Sequence, residues 1–226
     1  MKNNFVMTKS VLNFHGGISN INHKLKGVER MLLATGEPGL GKTEAAIHFA
    51  AQNGAVMIRT LQLMTGPWLL REVVKELGAA PERRISDVFD QIIDLQKTKP
   101  KTIIFDEIDR FAEKTEILET IRDIHDVCRC PIVFIGEEMA DKKLMRYRRL
   151  YRRIVEVIRF EKLDREGVEQ FVKKVSDVKF ENEAIDRIAG ETAGKISEII
   201  TLIHRAEAIS RTNPDKAIGV KEIWKG

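Results

Sequence analysis

The chain lacks the features of a secreted, membrane-spanning or disulfide-stapled protein. It has two cysteines among 226 residues, Cys128 and Cys130. The single residue between them is a poor spacing for a disulfide or a zinc ligand pair, so they read as reduced thiols near the start of a strand. No apolar run approaches the ~20 residues that a membrane helix requires. The opening Met1-Lys2-Asn3-Asn4-Phe5-Val6 has no apolar stretch of signal-peptide length. A cytoplasmic location with no membrane partner is therefore expected. Internal repeats and low-complexity tracts are absent as well. What is present, 43% hydrophobic and 32% charged residues, suits a globular protein with one α/β core and a small appendage.

The most informative segment is Gly36-Glu37-Pro38-Gly39-Leu40-Gly41-Lys42-Thr43, a full match to G-x-x-x-x-G-K-T. It follows the apolar run Met31–Ala34 and precedes the alanine-rich, helix-periodic Glu44–Ala51. Strand, loop and helix in that order are the context a phosphate loop needs. Glycines let successive backbone N–H groups point into one small volume, and the following helix adds its N-terminal partial charge. Lys42 is expected to reach the β- and γ-phosphates and the Thr43 hydroxyl to ligate Mg²⁺, with Gly36 to Gly41 as the cradle. The segment implies a bound nucleoside triphosphate.

A second signal is Thr102-Ile103-Ile104-Phe105-Asp106-Glu107, a short apolar run ending in two carboxylates. Buried parallel strands read as continuous apolar runs, and their C-terminal ends border the ligand crevice. Asp106 would hold Mg²⁺ through its water shell, because Mg²⁺ dehydrates reluctantly. Glu107 would orient and deprotonate the attacking water. Asp109 reads as an N-cap or loop carboxylate rather than a ligand.

Strand candidates Met31–Thr35, Ala55–Arg59, Thr102–Phe105, Ile132–Ile135 and Val155–Phe160 alternate with helical patterns. Those patterns are Thr43–Asn53, Pro67–Leu77, Ile85–Gln96, Lys114–Val127 and roughly Asp141–Arg149. This alternation predicts βαβ units and a parallel sheet covered on both faces. Thr65-Gly66-Pro67 reads as a helix start and Leu77-Gly78 as a helix end. After Leu163 only helical segments remain: Asp164–Val178, Glu181–Thr192, Ile196–Arg211 and Val220–Trp224. The expected architecture is a five-stranded parallel α/β core over residues 1–162 and an all-helical lid over residues 163–226.

Charge is unevenly spread. From Asp141 to Phe160, eight cations stand against two acids, a net +6 in a chain whose total is +4. The twelve residues from Lys142 to Arg153 contain no acid, and the chain's two tyrosines, Tyr147 and Tyr151, lie among them. A solvated helix face is the default for such a run. Its self-repulsion also suits an anionic partner, either DNA phosphate or a neighbouring subunit's nucleotide.

Together these features resemble the AAA+ ATPases: a phosphate loop, Phe105-Asp106-Glu107, a fourth strand ending in Gly136-Glu137, an arginine-rich segment before the fifth strand, and a helical lid. The resemblance covers residues from about 15 to 215. Within that superfamily, Arg59 to Gly78 and Leu150-Tyr151-Arg152-Arg153-Ile154 are most similar to the transposition ATPases of the phage Mu B and transposon target-selection type. The resemblance implies ATP and Mg²⁺ as cofactors, self-association into a ring or helical filament, and assembly on double-stranded DNA. The expected role is then target selection and activation of a transposase.

The resemblance further implies that an arginine before the fifth strand reaches a neighbour's γ-phosphate, with Arg153 the best fit and Arg152 next. Arg149 is a third candidate. Lys142, Lys143, Arg146, Arg148, Arg149 and Arg59 are the expected DNA contacts. Glu137 stands where relatives place an uncharged polar residue that positions the attacking water. A carboxylate there can accept a hydrogen bond from the water but would repel the γ-phosphate, so the expectation is either slow hydrolysis or a Glu137 that turns away until a neighbour docks. Ser197 stands where relatives carry a lid arginine that meets the γ-phosphate. Lys195 could substitute as a point charge, although Lys and Arg are not interchangeable at bidentate sites, and an exposed helix-start lysine is the reading preferred. About 30 residues precede the phosphate loop, too few for the DNA-binding domain of the Mu type, so DNA contacts are expected from the ATPase itself. A replication ATPase of the origin-recognition or helicase-loader kind is the alternative, although no winged-helix signal follows the lid. A slow-hydrolysing nucleotide switch is the third reading.

Overall fold

The computed structural model describes residues 4–23, 28–210 and 218–220. By contacts the chain falls into two compact units. One is Asn13–Gly36 with Lys42–Arg159, and the other is Met1–Leu12, Glu37–Gly41 and Phe160–Gly226. The contiguous division expected after residue 162 thus becomes a discontinuous one. The N-terminal segment and the middle of the phosphate loop group with the helical residues near the C-terminus.

The larger unit is built on five parallel strands, β1 (Met31–Thr35), β2 (Val56–Arg59), β3 (Ile103–Asp106), β4 (Ile132–Ile135) and β5 (Ile154–Arg159). Their order is β2-β3-β4-β1-β5. The three central strands are buried along their whole length, which is why they read as unbroken apolar runs. Side chains alternate between the two faces. Met31, Leu33, Val56, Ile58, Ile103, Phe105, Ile132 and Phe134 pack with α3 (Gly66–Glu76), α4 (Ile85–Thr98) and α5 (Thr115–Cys128) in one core. Phe105 and Phe134, paired in register, stack with centroids 6.1 Å apart. Each such fully buried side chain contributes about 1.5–3 kcal/mol.

Beside the sheet run α1 (Lys9–His23), which the sequence reading did not anticipate, and α2 (Lys42–Asn53). Gly17 shows how closely α1 approaches: a Cβ there would lie 2.5 Å from Ile158 and 2.9 Å from Leu32. His15 hydrogen-bonds the Ala45 carbonyl at 3.0 Å and packs edge-on against Phe49 of α2. Helix caps follow the sequence: Thr65 Oγ1 accepts from the Trp68 N–H at 3.4 Å, and Gly78 takes φ +95° after Leu77. The helix expected over Asp141–Arg149 is two short ones, α6 (Ala140–Leu144) and α7 (Arg148–Tyr151). Leu144, Tyr147 and Leu150 of this stretch all pack against the core.

The smaller unit holds α8 (Arg165–Val175), α9 (Asn182–Thr192) and α10 (Ile196–Ser210). Their apolar stripes meet in one cluster with Val6 and Ile218, and Phe180 bridges Ile218 in parallel. Arg211 and all but Val220 of the terminal helix expected at Val220–Trp224 lie outside the described residues. The link before α8 is stitched to the turn before α10, where the Leu163 N–H donates to the Gly194 carbonyl at 3.0 Å. Gly194 has φ +76°, and a Cβ on it would sit 2.0 Å from the Leu163 oxygen. No L side chain fits there. Gly194→Ala is expected to destabilise this unit by at least ~2 kcal/mol, seen as an earlier urea transition of the unit. An unshifted transition would show that the turn relaxes freely.

Candidate functional site

All five strands bring their C-terminal ends to one edge of the sheet, where open α/β sheets bind ligands. Register sets Arg59 beside Asp106, and Ala34 beside Ile135. The phosphate loop leaves β1 here. Gly39 and Gly41 both take φ +84°, a conformation that glycine adopts without strain. Lys42 opens α2 and donates to the Gly36 carbonyl at 2.6 Å. Burial pushes the Lys42 ammonium pKa down, opposed by the charges of Asp106, Glu137 and Asp109.

Thr43 Oγ1 donates to Asp106 Oδ2 at 2.9 Å, and the other Asp106 oxygen accepts the Glu107 N–H at 2.9 Å. Asp106 is 3% exposed, and burial raises its pKa against those two hydrogen bonds. The exposed Thr43 hydroxyl beside the buried Asp106 carboxylate offers hard oxygen donors only, the chemistry suited to Mg²⁺.

Glu107 sits in the left-handed region at φ 57°, ψ 41°, a strained conformation for a non-glycine residue. Its carboxylate is gripped from two sides, by Arg59 Nη2 at 2.7 Å and Arg110 Nε at 2.5 Å. Burial pushes the Glu107 pKa up, but the hydrogen bonds from Arg59 and then Arg110 outweigh it and hold the carboxyl below its ordinary value. A carboxylate neutralised in this way is a weak base. Arg59 was expected as a DNA contact; here its guanidinium belongs to Glu107. The Arg110 contact was legible in principle, because residues three apart eclipse in the 3₁₀ turn Ile108–Phe111 and its flank.

Asp109 is a loop carboxylate. Its Oδ2 accepts the Glu137 N–H at 2.6 Å and its Oδ1 lies 3.7 Å from Lys143 Nζ. Gly136 makes this approach possible, since a Cβ would lie 2.7 Å from Asp109 Oδ2 and 2.5 Å from the Ala140 Cβ. The Glu137 side chain, like that of Glu138, is exposed.

The arginine-rich segment differs most from expectation. Arg153, expected to reach outward, is tied inward: Nε donates to Asp126 Oδ1 at 2.9 Å and Nη2 to Oδ2 at 2.5 Å. Its Nη1 also donates to the Arg149 carbonyl. Asp126 went unnoticed because it lies 27 residues away on α5. Arg152 is exposed and, with Lys142, Arg146, Arg148 and Arg149, has no ion pair among the described residues. Tyr147 OH donates to the Ala112 carbonyl at 2.6 Å and Tyr151 OH to Asp141 at 2.8 Å. The tyrosines therefore anchor the segment while these cations face water.

Glu29, His125 and Asp126 lie close enough to share a metal ion. However, the buried His125 Nε2 accepts the Arg30 N–H at 3.2 Å, which leaves the proton on Nδ1, the nitrogen that faces both carboxylates. Arg129 and Arg153 also supply positive charge to those carboxylates. The cluster is an ion-pair network, not a metal centre.

In the smaller unit, loop residues Glu37–Gly41 meet the start of α10. The Ser197 N–H donates to the Gly39 carbonyl at 3.0 Å. Lys195, read from sequence as a free surface lysine, lies 3.4 Å from Glu37, and Lys162 lies 2.6 Å from it.

A family model described as an AAA domain matches residues 25–144. The chain belongs to the AAA domain family. It is 33% identical over 138 residues to a potential ATP-binding protein of Staphylococcus aureus, covering 59% of this chain and 47% of that one. It is 26% identical over 198 residues to the replication factor C small subunit of Methanococcus maripaludis, covering 83% of this chain and 57% of the relative. The chain thus spans about half the length of these curated relatives. Among solved structures, the ORC2 protein of Aeropyrum pernix in its ADPNP–ADP complexes aligns over 99% of this chain and 69% of its own, with TM-score 0.75 and 13% identity. The ORC1 protein of the same organism in complex with DNA aligns over 95% and 63%, with TM-score 0.69 and 13% identity. At such identities the likeness establishes the AAA+ fold alone. No helix among the described residues is long and apolar enough to cross a membrane.

The Arg153–Asp126 pair carries a pH dependence. Burial raises the Asp126 pKa, but the hydrogen bond from Arg153 outweighs it and leaves the folded-state pKa depressed. Its stabilisation is then complete above the unfolded pKa of about 3.9 and is lost as pH falls through the folded value. Asp126→Asn is expected to lower stability at pH 7 by roughly 1–3 kcal/mol and to flatten the acid limb below pH ~4. Parallel pH–stability curves for parent and variant would remove the pair from this role.

Proposed function

We propose that the chain is an ATP-hydrolysing AAA+ protein that assembles with copies of itself and acts on double-stranded DNA in a replication-type role. The observation that carries the reading is Thr43 hydrogen-bonded to the buried Asp106, with the clamped Glu107 next in the chain. Loop residues Gly36, Glu37, Pro38, Gly39, Leu40 and Gly41 would seat the phosphates with Lys42. Mg²⁺, held by Thr43 and Asp106, would neutralise phosphate charge when bound. Glu107, once released by Arg59 and Arg110, takes the proton of the attacking water. Glu137 borders Lys42 electrostatically and adds negative charge where phosphate would lie, which favours slow turnover.

Arg152, exposed and unpaired, is the better candidate for completing a neighbour's site, because using Arg153 would break its bidentate pair with Asp126. The replication reading is supported by the replication factor C relative and the likeness to origin-recognition folds. The transposition reading, with a transposase as partner, stays second on the strength of Arg59–Gly78 and Leu150–Ile154. Lys142, Arg146, Arg148 and Arg149 are the proposed DNA contacts, with Lys143 partly committed to Asp109.

Glu107→Gln is expected to retain ATP and slow turnover by ~10²–10⁴, whereas Lys42→Ala fails at nucleotide binding. Arg152→Ala mixed with Lys42→Ala should recover part of the activity, since each damages a different side of a shared site. Turnover unchanged in the Gln variant would remove Glu107 as the base. Failure of the mixture to recover, with activity independent of concentration, would argue against assembly.

DNA binding should be ATP-dependent, weakly sequence-selective and salt-sensitive, with log–log slope about −0.9 per phosphate contact on B-form DNA. Charge reversal at Lys142 and Arg146 is expected to weaken it and reduce the slope. A variant that assembles normally and holds DNA as tightly as the parent at low salt would take this surface out of DNA binding.

A further inference from the structure

Glu37 is the second residue of the phosphate loop and carries a negative charge into a segment whose task is to hold polyphosphate. Its two oxygens are divided between lysines: Oε1 lies 2.6 Å from Lys162 Nζ and Oε2 lies 3.4 Å from Lys195 Nζ. Lys195 is also 3.8 Å from Glu198. Each lysine is next to one end of a backbone contact, because the Leu163 N–H donates to the Gly194 carbonyl at 3.0 Å and a Cβ on Gly194 would lie 2.0 Å from the Leu163 oxygen. The loop is also held by bonds that do not involve this carboxylate. Ser197 N–H holds the Gly39 carbonyl at 3.0 Å, Lys42 holds the Gly36 carbonyl at 2.6 Å, and a Cβ on Gly39 would lie 2.3 Å from Ser197 Oγ. Glu37 thus adds a negative charge to a loop that has other ties. The hydrogen bond from Lys162 keeps the Glu37 carboxyl below its ordinary pKa, so it is ionised at neutral pH.

We propose that Glu37 and the phosphates of a bound nucleotide are alternative partners for Lys195 and Lys162, so that this loop carboxylate tunes affinity and the discrimination of triphosphate from diphosphate. The proposal rests on Gly36–Thr43 being the nucleotide seat. A carboxylate in the loop repels phosphate and at the same time occupies the two ammonium groups that would attract it. Both effects grow with ligand charge, so they act more strongly on ATP than on ADP. With serine at position 197, Lys195, just before α10, is a cation that faces the loop, and Glu37 sets how much of it is available. Glu37 is a positioning residue, acting through the lysines.

The test is equilibrium binding of ATP and ADP with Mg²⁺, by calorimetry, on the full chain. Glu37→Gln keeps size and hydrogen bonding and removes the charge. It is expected to tighten ATP binding about 2- to 5-fold, the range an exposed ion pair commands, with a smaller gain for ADP. In a Lys195→Ala background the gain should shrink, and Lys195→Ala alone should weaken ATP binding. The ATP gain should also fade at high salt. Equal or weaker ATP binding by the Gln variant, equal gains for ATP and ADP, or a gain that persists without Lys195 would each overturn the proposal. Absence of ATP binding by the parent chain would instead overturn the nucleotide-seat reading, and the competition with it.

Discussion

The parallel register of β3 between β2 and β4 is the constraint on which the site depends. It sets Arg59 level with Asp106 and stacks Phe105 on Phe134. A slip of one residue would exchange the two faces of the strand. Asp106 would then leave the Thr43 hydroxyl, and the apolar side chains that fill the α3–α5 face would point the other way. The energy that holds this register is mostly apolar burial in the central strands. The chemistry at their ends therefore costs little extra order.

On that frame the site is held in a restrained condition. Glu107 carries the charge that would activate water, yet two guanidiniums neutralise it. Glu37 carries a charge into the phosphate loop, yet two lysines neutralise that as well. Such pairs are exposed enough to exchange partners at small cost. By contrast, Arg153 with Asp126 is a less exposed bidentate pair and behaves as architecture.

The basic segment shows the same division of labour between anchors and free charges. Leu144, Tyr147, Leu150 and Tyr151 turn inward, and two of them spend a hydroxyl on a fixed acceptor. The cations between them, Arg146, Arg148 and Arg149, are exposed and make no ion pair among the described residues. A segment that is rigid underneath and charged outside can meet an anionic surface without paying to order itself.

The sequence by itself determined the elements and their class. Unbroken apolar runs could only be buried strands, helix periods between them required crossovers, and glycines with Lys42 and Thr43 marked a phosphate seat. Those signals are local, because backbone conformation and burial follow from short-range pattern. The tertiary structure alone decided which charges meet. Arg153 found Asp126, Arg59 found Glu107, and Lys195 found Glu37, each across a separation that no periodicity encodes. The helix α1 was missed for a related reason: with Gly16 and Gly17 inside it, its propensity is poor, and it is held by packing on the sheet. Charged side chains have long reach and several possible partners, so their choice is settled only when the fold brings the backbones together.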